Sequence, residues 1–284
     1  MATRGHHSDY DTAATDRCER VLVTLLGDLG PWRERIYLVG GLAPRYLVGA
    51  LPAGARPHVG TTDVDLVIGV ALGDDTPETY RTLHHNLKAS GFRQTTPSFA
   101  WTRKVDGDTV VVEFLCETDQ VDPGDIFRPR EETGSKMAAF NVTGAMLARD
   151  DYVEVDVHGE RIDDGGRSRA TVRVANVLPL VVMKIFAFQD RHANKDAYDL
   201  VFTLFNADGG PRAAGQRAAA SPVAGHEQTA AALGLLGERF ADIDLDGPHA
   251  YATFLTDTDA RARLRQEAVA TVRAFLAGFR DTAS

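Results

Sequence analysis

Residues Gly60 to Ile68 read Gly-Thr-Thr-Asp-Val-Asp-Leu-Val-Ile, and Asp63 and Asp65 stand two places apart at the mouth of an apolar, β-branched run. On an extended strand, positions i and i+2 face the same side. The two carboxylates therefore project together from the start of a strand whose remainder, Leu66 to Val70, is expected in a core. Like charges held so close repel unless a proton or a cation lies between them. A divalent metal keeps both ionised, and oxygen-only ligands select magnesium or manganese over zinc. The competing reading is a polar turn entering a core strand, because Asp-x-Asp is short and common.

Working upstream, Ile36 to Val39 (Ile-Tyr-Leu-Val) is a short buried strand that runs into Gly40-Gly41, after which Leu42 to Val48 resumes a helix-compatible pattern. Strand, glycine pair, helix is an arrangement in which backbone N–H groups can meet a phosphate. It is equally a tight turn that needs φ > 0. Thr15 to Leu29 has helical apolar spacing, and Gly49 to Val59 reads as a Pro/Gly/Ala-rich loop. Downstream, a helix is expected over Thr76 to Gly91, with Thr76 as N-cap and Pro77 at the first helical position. Strands follow over Phe92–Thr96, Phe99–Val105 and Thr109–Cys116, with Asp106-Gly107 as a hairpin turn. Glu113 lies inside the apolar strand Val110-Val111-Val112-Glu113-Phe114-Leu115. A buried unpaired carboxylate is costly, so Glu113 needs a partner, a raised pKa or a metal, unless it faces solvent or pairs with an Arg.

The chain has 284 residues, 44% of them hydrophobic and 25% charged, as in an ordinary folded protein. A formal net charge of −9 argues against non-specific coating of duplex DNA, which needs many Lys and Arg contacts to phosphate. The two cysteines, Cys18 and Cys116, are far apart and form no zinc-type cluster. A reduced, cytoplasmic setting is expected. Met1 to Thr12, with His6 and His7, is read as a disordered tail without the apolar segment of a signal peptide. No apolar run approaches the roughly 20 residues of a membrane span. Thr118 to Ser135 is irregular and charged, and Arg128, Arg130 and Lys136 either flank an anion or belong to a solvated loop. Tyr152–His158 and Thr171–Val174 alternate as strands.

After Asn176 the pattern becomes helical. One amphipathic helix covers Leu178 to Gln189, and a second, capped by Asn194, runs through Phe205. Lys184, Arg191 and Lys195 are spaced to share one face if the helix persists across the break at His192-Ala193-Asn194. Lys184 sits among apolar neighbours, so it either holds an anion or snorkels from the core edge. Ala207 to Pro222 reads as a Gly/Ala/Arg linker, and Glu227–Phe240 and Asp257–Phe279 read as further helices.

Together, Tyr37-Leu38-Val39-Gly40-Gly41-Leu42, Asp63-Val64-Asp65, Glu113 and the Lys184…Arg191…Lys195-Asp196…Asp199-Leu200 stretch resemble the polymerase β-like nucleotidyltransferase superfamily. Within it they resemble the AbiEii-type group, known mainly as toxins of toxin–antitoxin systems. The resemblance spans roughly Ile36 to Leu204. It implies an α+β fold: a nucleotidyltransferase-like mixed sheet with flanking helices over residues 1–176, then a helical domain over 177–284. It also implies transfer of NMP from an NTP by two metal ions, magnesium or manganese, held by Asp63, Asp65 and Glu113. Gly40 and Gly41 would approach the triphosphate, and Lys184 would bind it. Asp199 would orient Lys184 or Lys195 or belong to the active site, and Arg191 and Lys195 would meet nucleotide or acceptor. The implied partners are an NTP, an RNA acceptor with tRNA leading, and a cognate antitoxin. A small-molecule acceptor such as an aminoglycoside is the alternative, favoured by the acidic balance; a non-catalytic nucleotide- or partner-binding role is the third. The chain departs from the pattern where Leu42 follows Gly41 in place of Ser or Thr, and in the long gap between Gly41 and Asp63.

Overall fold

The computed structural model describes residues 5–51, 55–68, 77–129, 137–255 and 260–283. It divides into two units. One comprises Thr12–Leu42 and Gly60–Ala175; the other comprises Met1–Asp11, Ala43–Val59 and Asn176–Ser284. The strands are β1 (Ile36–Val39), β2 (Asp63–Ile68), β3 (Arg93–Gln94), β4 (Ala100–Val105), β5 (Asp108–Cys116), β6 (Ile126–Phe127), β7 (Ala139–Asn141), β8 (Tyr152–Glu160) and β9 (Arg167–Ala175). The helices are α1 (Thr12–Asp28), α2 (Ala43–Leu47), α3 (Pro77–Ala89), α4 (Leu147–Asp150), α5 (Val177–Arg191), α6 (Asn194–Phe205), α7 (Gly210–Ala219), α8 (Glu227–Arg239), α9 (Asp246–Leu255) and α10 (Arg261–Ala283). The fold is mixed α and β, in keeping with the α+β class expected from the sequence.

Among the described residues, all nine strands belong to the first unit and form one sheet in the order β3-β4-β5-β2-β1-β9-β8, with β7 beside β5 and β6 beside β7. The central strand β2 pairs antiparallel with β1 and parallel with β5. Alternation along β2 and β5 sorts their residues by face. Val64, Leu66, Val112 and Phe114 are fully buried, and Leu38 of β1, opposite Leu66, is buried with them. α1 covers this apolar side, with Val23 against Gly159 of β8. Its buried positions Cys18, Val21, Leu22, Leu25 and Leu26 follow the helical period. The Asp106-Gly107 turn between β4 and β5 has both residues at positive φ, 52° and 91°, the geometry an Asp-Gly hairpin demands.

The second unit is helical. α5 is capped by Asn176, whose side chain accepts from the Val177 N–H at 2.8 Å. It ends where His192 turns left-handed (φ 48°, ψ 34°). α6 starts with Asn194 as its first helical residue and Ala193 as its N-cap. The expected Asn194 cap is therefore displaced by one: the Asn194 amide donates instead to the Gly5 carbonyl, 3.2 Å.

Three sequence expectations change. The stretch read as a linker, Ala207 to Pro222, contains α7. Its alanines favour helix, and its glycine has a packing role: a Cβ on Gly215 would collide with the Phe275 carbonyl of α10, as one on Gly278 would with that of Arg212. Residues 5–11, read as tail, hold a short 3-10 turn over His7–Asp9, and His6 Nδ1 lies 3.0 Å from the Thr253 carbonyl. The boundary expected after Asn176 is not a single cut, because 43–59 and the N-terminal segment cluster with the helices. Thr76, Arg130 and Lys136, with the end of the run toward Val70, lie outside the described residues. Among the described residues, no helix is long and apolar enough to cross a membrane.

Candidate functional site

Strand register assembles the acidic residues. Asp65 on β2 lies directly opposite Glu113 on β5, and Asp63 lies opposite Val111. Paired positions on neighbouring strands share a face, so Asp63, Asp65 and Glu113 stand on one side of the sheet, opposite to Val64, Leu66 and Phe114. All three are partly exposed. Val39, the last residue of β1, lies opposite Asp65 on the other flank. The chain then turns at Gly40 with φ 68°, and the Asp65 carboxylate sits over the bare Gly40 α-carbon. A Cβ there would stand 2.6 Å from Asp65 Cγ and closer still to Oδ2. Gly40 is thus required twice, by its φ and by the carboxylate above it. Gly41 is buried in the same turn. The helix that follows, α2, has only five residues and includes Pro44, so it offers too few aligned N–H groups to act as a helix-end phosphate site.

The mouth of β2 is fixed from α1. Thr15 Oγ1 accepts from the Thr61 N–H at 3.1 Å and donates to the Thr61 carbonyl at 3.3 Å. The Thr61 hydroxyl donates to Asp63 Oδ1, orienting that carboxylate. The Cys18 thiol, 3.8 Å from the Thr61 carbonyl, is pushed well above the ordinary thiol range by burial and then by Asp63 and Asp65. It is held neutral and unreactive. The three carboxylates are hard oxygen donors, the kind magnesium and manganese take. As the side chains are placed, no three His, Cys, Asp or Glu groups among the described residues converge closely enough to hold an ion.

The second constellation is a buried ionic network in the helical unit. Asp199 is fully buried. Its Oδ1 accepts from His58 Nε2 at 2.8 Å and Lys195 Nζ at 2.6 Å, while Oδ2 lies 2.7 Å from Lys184 Nζ. Asp196, also fully buried, takes Lys184 Nζ at 3.1 Å and Arg191 through Nε and Nη2, each at 2.7 Å. Burial alone would lower the Lys184 pKa, but Asp199 and Asp196 outweigh it and hold the ammonium above the usual lysine range. Burial would likewise raise Asp196 and Asp199; Lys184 outweighs it in both, aided by Arg191 and Lys195 respectively, and both stay ionised. The His58 ring stacks on Tyr198, with centroids 5.2 Å apart, and meets Phe202 edge-on. Burial and the neighbouring Lys195 lower its pKa to about 4, so it serves Asp199 as a neutral donor.

Lys184, Arg191, Lys195 and Asp199 thus meet in one network, while Gly40, Asp63, Asp65 and Glu113 meet on the sheet. The three cations do not form a single helical row, because α5 stops at Arg191 and the chain reverses at His192. His58 and Asp196 were given no role by sequence reasoning. His58 lies in a Pro/Gly loop without pattern; Asp196 was visible as an acid one residue after Lys195 but had no assigned partner. Thr61 was missed too, although a hydroxyl two residues before an Asp is a recognisable local donor.

Compared with known proteins, the chain matches no family model, no curated protein and no solved structure. Functional inference therefore rests on these two constellations.

Proposed function

We propose that this chain is a metal-dependent nucleotidyltransferase that moves NMP from an NTP to an acceptor hydroxyl, with RNA, tRNA foremost, as the acceptor of a toxin-like enzyme. The observation that carries the reading is the register of Asp65 with Glu113, with Asp63 on the same face and Gly40 bare beneath Asp65. Asp63, Asp65 and Glu113 would hold magnesium or manganese. When bound, such ions stabilise the entering and leaving oxygens of an in-line displacement at phosphorus.

The chain's own residues have separable tasks. Thr61 sets the rotamer of Asp63. Gly40 leaves room for the Asp65 carboxylate beside the turn. Glu113, directly opposite Asp65 in the sheet, would accept the proton of the acceptor hydroxyl. Asp199 and Asp196 hold the cations of the helical unit in fixed places.

The formal charge of −9 favours a second acceptor class, a cationic small molecule of aminoglycoside type. The two are separated by incubating the protein with each α-labelled NTP and magnesium, together with total RNA or an aminoglycoside panel. Label in RNA supports the first reading, and label in the drug fraction supports the second. No label in either supports a non-catalytic nucleotide- or partner-binding role. A cognate antitoxin is part of the toxin reading and would suppress the RNA label when co-expressed.

A further inference from the structure

We infer that the edge of β9 facing β1 is a docking site for an extended, acidic segment of another protein, added to the sheet as a further strand. This edge lies within the sheet unit, and its use does not depend on the nucleotide reading. β9 pairs with β8 along all nine of its residues, Arg167 to Ala175. On its other side it is in register with β1 only at Arg173 and Val174. β1 cannot cover the rest. It has four residues and begins at Ile36, where a 3-10 turn over Gly30–Arg35 delivers the chain. Among the described residues, no strand or loop backbone pairs with Arg167–Thr171 on that side.

An unpaired strand edge is a template for another strand. Here it opens on a cleft of about 440 Å³, walled by Leu26 and Gly27 of α1 and by Arg33 of the 3-10 turn. Ala170 and Thr171, adjacent on β9 and so on opposite faces of it, both line the cleft. A cavity that reaches both faces of a strand lies at its edge. Every second residue of a strand turns its N–H and C=O to one side, so part of Arg167–Thr171 offers its backbone to whatever enters.

The occupant follows from the side chains beside the edge. Arg167, Arg169, Thr171 and Arg173 share one face of β9 by alternation, a basic row in a chain of formal charge −9. β8 holds this row from one side: Asp156 accepts from Arg169 Nη2, and Glu154 lies 3.2 Å from Arg173 Nε. Arg169 is nevertheless 64% exposed. An incoming strand sets its own side chains beside the row, and opposite charges at cross-strand positions are favourable. Acidic residues at alternate positions meet that demand. A second copy of β9 does not. Paired antiparallel about a twofold at Ser168, Arg169 or Ala170, it sets Arg167 against Arg169, Arg169 against itself, or Arg167 against Arg173, each a like-charge contact.

The test titrates the full chain into a fluorescein-labelled hexapeptide of alternating Glu and Thr, followed by fluorescence anisotropy. Binding is expected at or below about 1 mM, the weak end of the affinity scale. Methylating the alternate set of peptide amides that faces β9 keeps the charge and removes strand hydrogen bonds, and should weaken binding at least about tenfold. Methylating the other set should leave it within about twofold. A peptide with Lys in place of Glu should bind at least about tenfold more weakly, and Arg169→Glu should narrow that gap. Should Arg169→Glu fail to fold, hydrogen exchange on the unsubstituted chain decides. There the Glu peptide should slow, by about tenfold or more, the amides of 167–171 that do not pair with β8. No binding up to about 1 mM, equal losses from both methylated sets, equal binding of the Lys peptide, or unchanged exchange at 167–171 overturns the inference. So does concentration-dependent self-association in sedimentation that the peptide dissolves, since the occupant would then be a second copy.

Discussion

The carboxylate of Asp65 lies over the α-carbon of Gly40, where any other residue would place a Cβ. Gly40 also holds φ at 68°, so two constraints fall on one position. Gly40→Ala is expected to destabilise the fold by about 1–3 kcal/mol from left-handed strain and forced displacement of Asp65. Urea denaturation checks it: the midpoint falls with an unchanged slope. Retained stability would mean that the carboxylate moves aside freely.

Lys184→Met removes the cation between two fully buried carboxylates. Leaving such charges short of a partner costs about 3–5 kcal/mol. The variant should be strongly destabilised, and Lys184→Met combined with Asp196→Asn should recover part of the loss, because one stranded charge is removed with its partner. A double-mutant cycle by chemical denaturation measures the coupling.

His58 introduces a pH dependence. Its folded pKa lies near 4, below the ordinary value of 6.5, so between those values the unfolded chain binds more protons than the native one. The contribution is therefore complete above about pH 6.5 and is lost as pH falls toward about 4, on the order of 3 kcal/mol in all. His58→Gln keeps an N–H for Asp199 and does not titrate. The stability difference between wild type and His58→Gln, followed from pH 7.5 to 4.5, should shift against the wild type as acid is added. A constant difference would show that His58 is not held neutral.

Gly215 of α7 and Gly278 of α10 each sit where a Cβ would strike the backbone of the facing helix. Either residue changed to Ala pushes the helices apart, although Ala is the better helix former by about 1 kcal/mol. Net destabilisation of about 1–3 kcal/mol is expected, as for overpacking in a close-packed core. A rise in melting temperature would show that the two helices are loosely apposed.

Legibility in sequence followed the range of the interaction. The sheet could be read because short apolar runs, the alternation of Tyr152–His158 and the Asp-Gly turn are local signals, and they located β1, β2, β4, β5 and β8. The shared face of Asp63 and Asp65 follows from spacing alone; that Glu113 joins them depends on the register of two strands more than forty residues apart. α7 was not legible because glycine reads as flexibility until a partner helix is seen against it. The tie between His58 and Asp199, 141 positions apart, left no periodic trace. Lys184 and Arg191 lie on one helix, and their spacing in sequence does not show that the first is buried and the second exposed.

The central claim is that three carboxylates on one sheet face act together in nucleotide transfer, and Glu113 is its most discriminating member. Transfer of α-phosphate label from NTP to RNA, with magnesium, is compared between wild type and Glu113→Gln, which keeps the size of the side chain and removes its charge. The account predicts transfer by the wild type and a loss of at least about a hundredfold in Glu113→Gln, the scale expected for a group that moves a proton or holds a metal. Undiminished transfer by Glu113→Gln would contradict it.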